Sequence, residues 1–192
     1  MRTLFVTEFV TLDGVMEAPG GETTHPHTNW VSDYEHPDQF EWKLQETLAT
    51  ETLLLGRVTF ESFAGAWPTY EGPFADKMNT MEKVVVSNTL TDPEWTGSRV
   101  LSGDIVAGVT ELKAGEGGPI QVAGSCSLVH LLLDNDLVDE LRLMVFPVSI
   151  GAGLRVFPDT QKKAPWKRSE SVTFPNGVRV DTYVPLVDAS LF

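Results

Sequence analysis

A chain of 192 residues, 42% hydrophobic and 21% charged, is long enough for one sizeable core, since a domain of this length buries roughly 70% of its unfolded surface. The formal net charge of −13 argues against nucleic acid or an anionic membrane surface as the main partner. The lone cysteine, Cys126, excludes an intrachain disulfide, a Cys-x-x-Cys pair and the thiolate-rich zinc centre of a base deaminase.

No apolar run approaches the 18 or so residues of a membrane span. The stretch from Met1 meets Glu8 before a signal-like apolar segment develops, so the expectation is a cytoplasmic protein. No repeat, low-complexity tract or long linker interrupts the chain, and a single domain over 1–192 is expected.

Along the chain, strand and helix periodicities alternate, the signature of an α/β fold. Leu4–Val10 reads as a buried strand. A long Gly/Pro/Thr/His stretch follows to about Asp33, and the part from Val15 to Trp30 is a candidate lid with Met16 and Trp30 as its apolar contacts. Asp38–Leu48 spaces Phe40, Leu44 and Leu48 four residues apart, predicting a helix with an apolar stripe. Thr52–Leu55 is a short buried strand that Gly56 ends, and Val58–Ala64 opens a second helix. Lys83–Ser87 and Ser98–Leu101 read as strands, and Ile105 to Leu112 as a helix. Pro119–Ala123 is a strand running into Gly124-Ser125, Leu128–Leu133 is helical, and Asp139–Pro147 is again a strand. Two alternating segments, Ser171–Phe174 and Val178–Tyr183, flank Pro175-Asn176-Gly177, a strong hairpin signal. Parallel strand-helix-strand units are thus followed by an antiparallel addition to the same sheet.

Three strand ends carry what a dinucleotide's phosphates require. At Gly56-Arg57-Val58-Thr59 a glycine permits close backbone approach, a helix N-terminus presents free N–H groups, and Arg57 adds a fork of donors. Ser87-Asn88 ends the third strand, and Gly124-Ser125-Cys126-Ser127 again passes from strand through glycine into a helix. Open α/β folds place ligands on such a rim. No Gly-x-Gly-x-x-Gly follows the first strand, so the ordinary Rossmann fingerprint is absent.

With these residues in view, the chain resembles the dihydrofolate reductase superfamily over most of its length. Gly56-Arg57-Val58-Thr59-Phe60-Glu61-Ser62 is similar to that family's Gly-Arg-x-Thr-x-Glu-Ser turn and helix, and Lys83–Ser87 to its next strand. Val122-Ala123-Gly124-Ser125 stands where the family has a strand ending in Gly-Gly. Thr11-Leu12-Asp13-Gly14, Leu137–Leu141 and Gly151-Ala152-Gly153 resemble the riboflavin-pathway reductase branch. The resemblance implies a three-layer fold with helices on both faces of a mixed, mostly parallel sheet. It also implies NADPH as cofactor, with Arg57 and Ser87 at the 2′-phosphate and Thr59, Gly124 and Ser125 at the pyrophosphate; Asn88, Cys126 and Ser127 join the candidate cofactor residues from the strand-end reading above.

The substrate end departs from both relatives. The register of the carboxylate that dihydrofolate reductases carry before the Gly-Arg turn falls near Phe40, flanked by Asp38 and Glu41. Gly65-Ala66-Trp67-Pro68 stands in place of the riboflavin-pathway Asp-Asn-Pro. Asp13, leaving the first strand at the cleft's edge, is the first candidate for a catalytic polar role, followed by Asp38, which also suits a helix N-cap, and Glu41. His25-Pro26-His27 lacks a third ligand, so no metal site is expected, and Cys126 shows no histidine partner in sequence. The expected activity is hydride transfer from NADPH to a small heterocyclic or carbonyl-type acceptor by a homodimer similar to the riboflavin-pathway enzymes. The alternatives are a non-catalytic nucleotide-binding or interaction module, and folate reduction itself.

Overall fold

The computed structural model describes residues 1–160 and 162–186. Its sheet is built first from short, almost wholly apolar strands: β1 (Leu4–Thr11), β2 (Thr52–Gly56), β3 (Glu82–Val86), β4 (Ser98–Leu101), β5 (Ile120–Val122) and β6 (Glu140–Phe146). Runs such as Leu53-Leu54-Leu55, buried to 0% exposure, cannot alternate apolar with polar because helices cover both faces of a parallel sheet. The strand order is β4-β3-β2-β5-β1-β6-β8-β7, with the first six parallel. β8 (Arg179–Pro185) adds antiparallel to β6, and β7 (Trp166–Thr173) antiparallel to β8.

On one face, Leu4, Val6, Leu54 and Val84 pack against Val109 of α4 (Ile105–Ala114) and Leu128, Val129 and Leu132 of α5 (Cys126–Asp134). On the other, Leu53, Leu55 and Val85 meet Phe60 of α2 (Arg57–Ala66), Met78 of α3 (Pro73–Thr80) and Trp95. Burying one such leucine or phenylalanine is worth about 1.5–3 kcal/mol, so these two layers dominate stability. Trp30, Met144, Phe146, Phe174, Val178 and Val180 form a third cluster under the antiparallel end. The three-layer α/β architecture expected from the resemblance is therefore present, and the Asn176-Gly177 turn closes the β7–β8 hairpin through Phe174 N–H to Val178 O at 2.8 Å.

Three local expectations differ. Helix α1 (Pro37–Leu48) forms, but Phe40 and Leu48 point outward at 57% and 40% exposure, while Leu44, Glu46 and Thr47 face the sheet. The reason is electrostatic: the sheet beneath α1 presents Thr7 and Arg142, and Glu46 bonds to both, at 3.0 and 3.2 Å, outweighing the apolar stripe. The helix is capped by His36, whose Nδ1 accepts the Asp38 N–H at 3.2 Å, so Asp38 lies inside the first turn rather than at the cap. Helix α3 was not expected, since its eight residues follow Gly72-Pro73, a pair that reads equally as a turn. Strand β7 begins at Trp166 rather than Ser171, because as an exposed edge strand it carries polar residues on both faces.

No helix among the described residues is long and apolar enough to cross a membrane. The parallel arrangement sets the C-terminal ends of β1, β2, β3 and β5 on one rim, and the site is built there.

Candidate active site

Gly56 ends β2 opposite Val86 of β3, so Arg57 and Ser87 leave neighbouring strands at one level. Between β2 and β5 the backbones converge: Gly56 N–H donates to Gly124 O at 3.3 Å, and the Gly124–Ser125 peptide is cis. A Cβ on Gly56 would lie 2.4 Å from Ser125 Oγ, and one on Gly124, at φ +77°, would lie 2.7 Å from Thr59 Oγ1. Only glycine fits either place. Ser125 Oγ sits 3.0 Å from Thr59 Oγ1 and accepts the Thr59 N–H at 3.4 Å. The N-termini of α2 and α5 thus meet at one point; neither is capped by the side chain of its own N-cap residue, and Ser125 Oγ reaches only the Thr59 N–H of α2. Two sets of free helix N–H groups with two hydroxyls make a suitable cradle for an anionic phosphate chain.

The flanking predicted residues are placed as follows. Arg57 is half-exposed beside the rim, its Nη1 2.8 Å from both Glu61 oxygens across one helical turn. Ser87 is buried, and its Oγ accepts the N–H groups of Thr89 at 3.1 Å and Leu90 at 2.9 Å. Asn88 is exposed and its Oδ1 accepts the Gly103 N–H at 2.9 Å, which ties the ends of β3 and β4 together. Cys126 lines the cavity described below, whereas Ser127 points to solvent.

Next to this cradle lies a cavity of about 400 Å³. Its far wall is aromatic, with Trp67 against both Phe63 and Phe74, at 6.2 and 4.8 Å between ring centres. The Met16–Gly20 part of the predicted lid forms another side, held in place by Met16 N–H to Leu154 O at 2.8 Å and by Trp30 Nε1–H to Glu17 O at 3.0 Å. Trp30 itself packs away from the cavity against Phe146.

The floor is polar. Glu8, only 8% exposed, projects from β1 and its Oε1 accepts the Gly124 N–H at 2.6 Å. Burial raises the Glu8 acid from 4.5 to about 8, against the lowering pull of the Gly124 N–H and the Lys43 charge. Lys43 of α1 donates to Thr7 Oγ1 and to Glu46 Oε2, both at 2.6 Å, and lies 5.3 Å from the Phe9 ring centre. Thr47 also borders the cavity, and its hydroxyl has no hydrogen-bond partner among the described residues. Burial pushes the Cys126 thiol up, aided by Glu8 and Glu17. No partner for Cys126 is legible in the amino-acid order, yet its Sγ lies 3.4 Å from His130 Nε2, one turn along α5.

The three catalytic candidates from the sequence do not share this cavity. Asp13 sits at the outer end of β1, where Thr11 Oγ1–H at 2.6 Å and Gly151 N–H at 2.8 Å bond its carboxylate and hold it below its ordinary pKa. It joins the strand end to the Gly151 loop. Asp38 and Glu41 lie on the solvent side of α1 and line a separate, more open groove of about 610 Å³ with Glu140 and Glu170. The residues that do enter, Glu8, Lys43 and Thr47, were legible only as polar interruptions in buried elements: a carboxylate inside Leu4–Thr11, and a lysine and threonine on the concealed face of α1. His25 has both ring nitrogens engaged, with the His27 N–H at 3.0 Å and Ala152 O at 2.9 Å.

Comparison with known proteins agrees with this architecture. Residues 2–180 match the model of the RibD C-terminal domain. Two uncharacterised proteins of Bacillus subtilis (strain 168) are similar: YyaP, 28% identical over 92% of each chain, and YwjB, 23% identical over 89% of this chain and 91% of the relative. Among solved structures, a protein assigned to riboflavin biosynthesis from Shewanella sp. PV-4 superposes with a TM-score of 0.76 at 19% identity, covering 96% of this chain and 99% of that one. Dihydrofolate reductase from Enterococcus faecalis, complexed with NADP(H) and RAB-propyl, superposes with a TM-score of 0.62 at 17% identity, covering 95% and 96%.

Proposed function

The chain belongs to the RibD C-terminal domain family, within the dihydrofolate reductase superfamily, and from that premise we propose that it is an NADPH-dependent reductase of a small, flat heterocyclic or carbonyl-type acceptor. The observation that carries this reading is the meeting of two helix N-termini, neither capped by its own N-cap side chain, at Gly56 and Gly124-Ser125, at the mouth of an aromatic-walled cavity. In this proposal the pyrophosphate rests on the α2 and α5 amides with Thr59 and Ser125, and Arg57 with Ser87 receives the 2′-phosphate that distinguishes NADPH from NADH. Asn88, Cys126 and Ser127 flank it. Bound there, the dihydronicotinamide supplies a hydride. The chain's own part is to orient the acceptor between Phe63, Trp67 and Phe74, to exclude water with Met16–Gly20, and to provide polar groups on the cavity floor. The E. faecalis reductase, whose fold is similar, is complexed with NADP(H), which supports the choice of cofactor.

Trp67 in the cavity wall is the reporter. Titration with NADPH is expected to quench tryptophan fluorescence at micromolar concentration, and NADH at the same concentration is not. No quenching and no rise in melting temperature with NADPH would count decisively against the reading. A non-catalytic nucleotide-binding module is the second reading, favoured by the outward placement of Asp38 and Glu41; it predicts NADPH binding with no oxidation by any pterin, flavin, aldehyde or quinone. A cytoplasmic location and a homodimer belong to the same proposal, and light scattering on the purified protein tests the second.

A further inference from the structure

We propose that Glu8 is the proton donor of the reaction, delivering a proton from its carboxyl group to the heteroatom of a C=N or C=O acceptor held in the aromatic-walled cavity. This rests on the reductase reading above. The geometry points to Glu8 because it is the buried carboxyl at the junction of the phosphate cradle and the cavity: Oε1 accepts the Gly124 N–H at 2.6 Å, while Oε2 has no hydrogen-bond partner among the described residues. A side chain more than nine-tenths buried, with one oxygen anchored and the other free beside a ligand-sized space, is preorganised for proton transfer.

The surroundings keep it an acid at neutral pH. Lys43 and Glu46 face it from α1, and Glu46 is itself held by Arg142 of β6 at 3.2 Å. Glu17 and Glu22 border the cavity from the lid, and Cys126, paired with His130, borders it from α5. Among the described residues Lys43 forms its ion pair with Glu46 rather than Glu8, bonding to Thr7 and Glu46 at 2.6 Å. Burial therefore outweighs the nearby cation, and the acid is raised to about 8.

The step balances as follows. The acceptor's carbon gains the hydride with its electron pair, the C=N or C=O π bond breaks, and its pair moves to the heteroatom. That atom forms a bond to the Glu8 proton, leaving the Glu8 carboxylate, which regains a proton from water. The acceptor is reduced by two electrons, and NADPH, named in the reading above, is oxidised to NADP+.

The test compares wild type with Glu8→Gln and Glu8→Asp. Glutamine keeps an acceptor for the Gly124 N–H, so folding and the NADPH dissociation constant are expected to stay within about twofold. Reduction of a panel of pterin, quinoxaline and aldehyde acceptors is expected to fall about 10²- to 10⁴-fold in Glu8→Gln, the usual contribution of a general acid. Glu8→Asp is expected to retain part of the rate. The wild-type kcat/KM is expected to decline above about pH 8, a limb absent from Glu8→Gln. In the cofactor-free protein, 13C NMR of glutamate carboxyls is expected to show one resonance titrating near pH 8 that the Gln variant lacks. A Gln variant with full activity, a Glu8 midpoint near 4.5, or a wild type that binds NADPH yet reduces no C=N or C=O acceptor would each overturn the proposal. A wild type that fails to bind NADPH overturns the cofactor reading instead, and the carboxyl titration still decides whether Glu8 is a protonated acid.

Discussion

Glu8 Oε1 and the Gly124 amide meet at 2.6 Å although 116 residues separate them in the chain. This contact joins the floor of the cavity to the strand end where the phosphate cradle is proposed. Burial is the largest influence on the Glu8 acid, which it raises from 4.5 to about 8. As pH rises from 4.5 the unfolded chain gives up this proton before the folded one does, so the stability associated with Glu8 is full below about pH 4.5, declines towards pH 8 and is level above it. Glu8→Gln is fixed in the uncharged form. Its melting temperature is expected to exceed that of wild type at about pH 8.5, with the gap closing towards about pH 4.5, as scanning calorimetry across the range would show. A gap independent of pH would mean that Glu8 titrates at its ordinary value.

Arg57→Ala tests the 2′-phosphate assignment with little structural disturbance. The Arg57–Glu61 pair is half-exposed and one turn apart, an arrangement worth about 0.3–0.5 kcal/mol, so the melting temperature should scarcely move. Loss of a charge-assisted hydrogen bond of about 1.5–3 kcal/mol predicts roughly a 10- to 100-fold weaker NADPH affinity. NADH affinity should be unaffected, and calorimetric titration of both cofactors checks the pair of outcomes. Equal weakening of both would move Arg57 away from the 2′-phosphate.

Gly124→Ala is predicted to damage fold and cradle together. The residue is at φ +77°, and its new methyl would lie 2.7 Å from Thr59 Oγ1. Left-handed backbone alone costs about 1–2 kcal/mol for a residue with a Cβ, and displacement of Thr59 adds to it. The expected result is a melting temperature lowered by several degrees and NADPH affinity reduced at least tenfold. An Ala variant with unchanged NADPH affinity would show that the close approach of Gly124 to Thr59 is not needed for the phosphates.

Lys83 separates stability from binding. It is a fully buried residue of β3 whose Nζ donates to the carbonyls of Asn79, Met81 and Thr96 at 3.2, 2.9 and 2.8 Å and lies 4.3 Å from the Trp95 ring centre. Desolvation lowers its pKa to about 8. Lys83→Met leaves those carbonyls without their donor, a loss of about 1–3 kcal/mol. Thermal unfolding should therefore shift downward by several degrees while NADPH affinity holds within about twofold. A large loss of NADPH affinity would imply that the β3 end, and Ser87 with it, depends on this anchor.

The parallel half of the fold was legible because its signals are local. Leu53-Leu54-Leu55 and Val84-Val85-Val86 are too short for buried helices and too apolar for exposed strands, and Gly56 and Gly124 mark the strand ends by the same logic. The edge strand β7 was harder, since Lys167 to Ser171 carry no alternation for a sheet edge open to solvent to impose. Helix α1 misled in a different way. Phe40, Leu44 and Leu48 have helical spacing, but the buried face is chosen by what the sheet presents, and here that is Thr7 and Arg142 reaching for Glu46.

The same distinction divides the site. By itself the amino-acid sequence determined the turns where the phosphate cradle is proposed, because a glycine at a strand end that runs into a helix is a property of a few consecutive residues. Which carboxyl group faces the cavity was decided only by the tertiary structure. Asp13, Asp38 and Glu41 stand in polar surroundings where an acid is conspicuous in sequence and ordinary in space. Glu8 is hidden in an apolar strand: burial keeps it protonated against the pull of the Gly124 N–H and of Lys43, and the Gly124 amide, 116 residues away in the chain, anchors one of its oxygens.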